Sequence, residues 1–171
     1  MIRSSKSTLR FSRKGKLDTV RIFIEEYRNV VKQFVDMLWE QEKISNLLEK
    51  ETTDRVDSWL SERMKQCAGK QASGIVRGTR KKQEKREWKI RELEKQGRLK
   101  QMRKLQRIYD QVKVSKPKIE QVQPELDARF VKLDLENGTS FDGWLTLSSI
   151  GNKIKIELPF KKTRHFNKMV K

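Results

Sequence analysis

Three rhythms of apolar and polar positions follow one another along the chain. Thr8-Leu9-Arg10-Phe11 alternates with the two-residue period of a short strand, and Ser12 to Lys16, basic around Gly15, reads as a polar turn. From Leu17 the period lengthens. Val20, Phe23, Ile24, Tyr27, Val30, Val31, Phe34 and Leu38 fall three or four apart, which gives an apolar face to a helix ending near Lys43. Asp18, near its start, suits the positive end of the helix dipole. A second helical pattern begins near Thr53 or Asp54 and keeps Leu60, Met64, Cys67, Ala68, Ala72, Ile75 and Val76 on one side. Small residues at 69 and 72–74 allow another helix to come close. Gly69 and Gly74 each weaken the helix by up to roughly 1 kcal/mol, so a break or kink is expected there. Cys67 on this face reads as a small buried hydrophobe, not a nucleophile.

Beyond Val76 the apolar positions thin out. Trp88, Leu93, Leu99, Met102, Leu105, Ile108, Tyr109 and Val112 are sparse at first and helically spaced later, in a segment whose Lys, Arg, Glu and Gln favour helix. Pro117 and Pro124 mark a linker. After it the two-residue period returns, with Phe130, Leu133 and Leu135 on one strand and Phe141, Trp144, Leu145 and Leu147 on the next. Asn137-Gly138 offers a type I′ hairpin turn between them. Gly151-Asn152 turns the chain again into Ile154, Ile156 and Leu158, and Pro159 is expected to end the ladder. The pattern predicts an α+β fold: long helices, then a three-stranded meander to which the N-terminal strand adds.

Charge changes the picture most. Lys and Arg number 41 against 23 acidic residues in 171, a formal charge of +18. So large an excess points to a polyanionic partner, nucleic acid first; a basic ribosome-associated or chaperone-bound protein and a binder of acidic membranes remain alternatives. The imbalance concentrates between Arg77 and Arg107, where 14 basic residues face four acidic ones. A solvated helix face is the plain reading of such a stretch, and its size favours phosphate contact. One cysteine and one histidine, Cys67 and His165, cannot build a zinc site or an intrachain disulfide. With no apolar run long enough for a bilayer and no secretory signal, a cytoplasmic location without membrane attachment is expected.

Several segments resemble the N-terminal half of the TnpB family, the transposon-encoded RNA-guided nucleases related to miniature type V CRISPR effectors. They are Leu9-Arg10-Phe11, the helix from Leu17 to Trp39, Gln66 to Ala72 with Val76-Arg77, and above all Phe141-Asp142-Gly143-Trp144-Leu145 with Lys153 to Lys161. The resemblance implies a wedge domain, a partial antiparallel β-barrel of oligonucleotide-fold type, with a helical recognition domain inserted after its first strand. The divisions are then 1–16 for the first wedge strand and basic turn, 17–115 for the helical insertion, 116–125 for the linker, and 126–171 for the wedge meander. In that family a RuvC-like domain holds two Mg²⁺ ions on three carboxylates. Here no Gly-Ile-Asp-x-Gly strand follows the meander, there is no CxxC zinc ribbon, and Asp142-Gly143 falls inside the wedge-like segment, where it reads as structural.

The resemblance and the charge together predict a protein that binds structured guide RNA and the guide–target DNA duplex without cutting by itself and without a cofactor. Arg13, Lys14 and Lys16 are expected at phosphates near the wedge, and Arg77, Arg80, Lys81, Lys82, Lys85, Arg86 and Lys89 along the RNA or heteroduplex. Trp88 among them suits either stacking on a base or packing against a partner helix. The alternatives are a standalone regulator acting by occupancy, a split subunit pairing with a separate RuvC chain, and a decayed fragment.

Overall fold

The fold was obtained as a computed structural model and is described for residues 7–45, 48–112, 115–135 and 140–169. Helix α1 (Lys14–Trp39) forms where the three-and-four spacing predicted it and buries Phe23, Tyr27, Val30, Val31, Phe34, Val35 and Leu38. It starts three residues before Leu17, so its first turn holds no acidic residue. Asp18 lies beyond that turn and pairs with Arg21 at 3.2 Å instead of answering the helix dipole. Residues 7–12 form no strand. The Ser12 N–H donates to the Leu9 carbonyl at 2.9 Å, a turn that delivers the chain to the helix start. Four alternating residues are too few to hold a strand against that reversal, and Phe11 packs on the Phe141 ring.

A short helix α2 (Lys50–Asp54) precedes α3 (Glu62–Lys95), whose Ser61 hydroxyl caps the Met64 N–H. The expected break at the glycines does not occur; α3 is continuous and about 51 Å long at 1.5 Å per residue. Gly69 is there for contact: a Cβ on it would stand 2.7 Å from Leu48 Cδ1. With Ala68, Ala72 and Ser73 it lets α1, Ser45 and Leu48 lie close. Only the first half of α3 packs on α1. Its second half pairs with α4 (Leu99–Val112), reached through Gly97, whose φ of +67° closes the helix while Arg98 N–H bonds back to Leu93 O. This helical hairpin is held by Ile90, Leu93 and Tyr109.

The meander forms as an open antiparallel sheet, β1 (Val131–Asp134), β2 (Gly143–Leu147) and β3 (Ile156–Phe160), in that order. Leu133, Leu145 and Leu158 stand in one row of the register. The Asn137-Gly138 turn lies outside the described residues. Pro159 does not end the ladder; it lies inside β3 opposite Trp144, and its missing N–H is tolerated because β3 is an edge strand. Gly151 (φ +144°) bridges to Leu60, and a Cβ there would fall 2.2 Å from Trp59 O. That bridge, with the Ser61 N–H donating to Ile150 O, fastens the sheet to the start of α3. A last helix, α5 (Arg164–Met169), had no counterpart in the pattern. The fold is α+β, and among the described residues no further strand closes the sheet into a barrel.

The proline-marked linker is a packed strap. Ile119 is buried, Arg28 donates to Val122 O at 2.7 Å, and Lys116 meets Asp36 at 2.7 Å. One core joins Tyr27, Phe34 and Val76 to Phe130, Leu147, Ile150 and Leu158, so the helices and the sheet bury their apolar faces together. Among the described residues no helix is long and apolar enough to cross a membrane.

Candidate nucleic-acid interface

The second half of α3 turns Ile90 and Leu93 toward α4 and leaves Lys81, Lys82, Lys85 and Lys89 exposed. Lys81, Lys85 and Lys89 recur every fourth residue, about 6 Å apart along the axis. Trp88 stands among them, 60 % exposed. Arg77 is exposed one helical turn before Lys81, and Arg86 is half-buried toward the hairpin. The acids here are few and partly engaged: Glu87 accepts the Tyr109 hydroxyl, which pushes that phenol up to about 12, and lies 3.9 Å from Arg91. The result is a one-sided lane of ammonium groups around an indole.

Arg80 differs from its neighbours. Its guanidinium donates to Trp39 O at 2.8 Å and Glu42 O at 2.9 Å and lies 5.8 Å from the Trp39 ring. It therefore supplies the positive charge and donors that the end of α1 needs. Two of the five guanidinium N–H donors are committed to the end of α1 in this way.

Arg13, Lys14 and Lys16 stand at the other end of α1, about 39 Å away for a 26-residue helix. The structure thus gives two basic groups and does not converge them on one site. Lys14 is exposed. Lys16 donates to Glu157 O of β3 at 2.7 Å and lies 5.7 Å from the Trp144 ring. Around it Phe11, Arg13, Phe141, Trp144 and Pro159 enclose a notch of about 420 Å³. Phe11 and Phe141 approach to 5.8 Å between centroids, and Phe141 meets Trp144 edge-on at 5.7 Å. Lys161 lies 5.8 Å from Phe141, and Arg10 covers Phe11 at 4.7 Å. Sequence reading took these aromatics as strand residues, because nothing local shows that positions 11 and 141 meet. The available signal was the basic residue beside each: Arg10 before Phe11, and Lys161 after the strand facing Trp144.

A second hollow of similar volume lies between α1 and the strap, and three of its cations are engaged, Arg28 on Val122 O and Lys32 and Lys116 on Asp36. Asp36 accepts from both Lys32 and Lys116, which holds its carboxyl below the usual range. Cys67 is half-buried, 3.7 Å from Arg129, and burial pushes its thiol up, away from nucleophilic use. Compared with family models, curated proteins and solved structures, the chain matches none.

Proposed function

We propose that this chain binds structured RNA and RNA-containing duplex through its phosphate backbone, as the nucleic-acid-gripping part of a TnpB-like RNA-guided system, and does not itself cleave. The observation that carries this reading is the lane Lys81, Lys82, Lys85 and Lys89 on the solvent face of α3. A regular row of lysines on a rigid helix follows a backbone without reading bases, which suits a protein that leaves sequence to base pairing. In this reading the open sheet is part of a wedge barrel of oligonucleotide-fold type, and the α3–α4 hairpin is the recognition arm. The test is affinity for an A-form RNA duplex against salt. Six to ten engaged phosphates lower affinity by about 10³- to 10⁵-fold between 50 and 200 mM salt. A flat response refutes the electrostatic grip, and cleavage of DNA by the purified chain with Mg²⁺ refutes the absence of catalysis. Sequencing the RNA that co-purifies from the host then separates a discrete guide transcript from a smear of bystander RNA.

A second reading has its own support. The outer edge of β1 has no strand beside it among the described residues, and Leu133 on it is 47 % exposed. Such an edge accepts a strand from a partner, here a separately encoded RuvC-containing chain. Co-expression followed by a mass measurement in solution decides it.

A further inference from the structure

We propose that the notch between the Leu9–Ser12 turn and the sheet seats one unpaired nucleotide, its base against Phe11, Phe141 and Trp144 and its phosphate against Arg13 and Lys16. The inference rests on the reading that the chain binds nucleic acid and adds which part of that ligand goes where. Three rings from opposite ends of the chain converge here while staying only half-buried. They meet tilted by 54° and edge-on at 85°, which makes a corner and not a filled stack. Ring faces at such a corner are what a base stacks on, whatever its identity.

The charged side chains that line the notch, Arg13 and Lys16, are both positive. Lys16 and Lys161 each use one N–H on a carbonyl, Glu157 O and Ser140 O, which leaves each ammonium further protons to donate. The nearby carboxylates are occupied: Glu157 is held by Lys155 at 2.7 Å, and Asp142 accepts the Lys162 N–H at 2.8 Å. At about 420 Å³ the notch lies within the roughly 300–1,000 Å³ typical of small-ligand sites. An acidic peptide would satisfy the cations and leave the rings unused. A perfect duplex has no free base face to offer and is left to the lysine lane at the far end of α1. With Arg13 and Lys16 turned to the phosphate, the base is held by ring stacking, which tolerates any base.

The experiment compares a short oligothymidylate with an abasic strand of the same length and charge, using the full chain. The expected result is binding of the oligothymidylate roughly tenfold or more tighter than the abasic strand, the contribution of stacked bases. In Phe11→Leu/Phe141→Leu that preference collapses toward unity, while affinity for the abasic strand and for duplex RNA stays put. Phe11→Tyr/Phe141→Tyr retains it. Far-UV circular dichroism checks the fold, and Phe11→Leu alone, outside the core, carries the test if the double variant unfolds. Equal binding of the two strands by the unaltered protein overturns the inference and leaves the duplex reading standing. So does a preference that survives the double variant or disappears on Trp88→Leu. Binding of neither strand nor duplex overturns both.

Discussion

From Glu62 to Thr79, α3 buries Met64, Ala68, Ala72 and Val76 against the body of the protein; from Arg80 to Lys95 its buried apolar residues are Ile90 and Leu93 alone. The charges divide in the same way. In the body Lys65 is buried beside Glu62 and the Val56 carbonyl, Arg28 ties down the strap, and Arg80 caps α1. In the arm the lysines point to water. One helix thus works as a core element over its first half and as a scaffold for surface charge over its second. The difference separates the cations that hold the fold from those left available to a ligand, a distinction that counting basic residues does not make.

The sharpest way to break the comparison is to damage each half in turn. Phe34→Ala removes a fully buried ring from the shared core and should cost about 3–5 kcal/mol, a large part of the stability of a domain this size. Helices and sheet should then unfold in one transition, as denaturant curves followed by separate probes would show. Leu93→Ala should cost about 2–3 kcal/mol, with the loss confined to the arm. Hydrogen exchange at 85–110 should rise while amides around Tyr27 and Val31 keep their protection. Equal loss of protection in both regions would abolish the distinction.

Arg80→Ala comes next, at about 1–2 kcal/mol, since it removes two charge-assisted bonds to the end of α1. It should lower Tm and leave the salt dependence of RNA binding unchanged. Lys81→Gln/Lys85→Gln/Lys89→Gln should do the reverse. Gln keeps the helix propensity, so Tm stays within a degree or two, while the slope of log affinity against log salt should shrink by roughly 0.7–0.9 per lysine. Identical slopes in the triple variant and the unaltered protein would mean the lane faces solvent only.

The periodicity of α1 and the alternation of the meander were readable because each buries one face, and burial imposes the period. Phe23 to Leu38 and Leu145 to Leu158 are where sequence and structure agree best. Disagreement came where a local rule met a distant contact. Gly69 suggested a break, yet its missing side chain makes room for Leu48. Pro159 suggested an end, yet it falls on an edge strand. Thr8–Phe11 suggested a strand, yet Phe11 packs on a residue 130 positions away. The basic lane was legible as composition, and its one-sidedness only partly. Arg80 sits in the same run as Lys81 and Lys82, and only the place where α1 ends shows that it also caps that helix. The notch was legible only in its basic residues, and its aromatic corner was not, because its walls come from three separate segments.

The smallest expected effect is a pH dependence confined to the body. Arg129 holds the Asp127 carboxyl down to about 2, from an ordinary value near 3.8, through side-chain and backbone hydrogen bonds at the end of the strap. A carboxyl depressed in the folded state adds stability that is fully present above its unfolded pKa and is lost as pH falls through the folded one. The difference in Tm between the unaltered protein and Asp127→Asn should therefore be constant above about pH 5, narrow as pH falls below that, and vanish only near pH 1, below both pKa values. It should be small throughout, because the pair is exposed and water screens it. Asp36, lowered by Lys116 and Lys32, should behave in the same direction at the other end of the strap. Exchange of the Val122 amide, which bonds to Ile119 O, reports the strap directly. If Asp127→Asn also altered exchange around Ile90 and Leu93, the arm would be coupled to the strap through the body, and the two halves of α3 would no longer be independent.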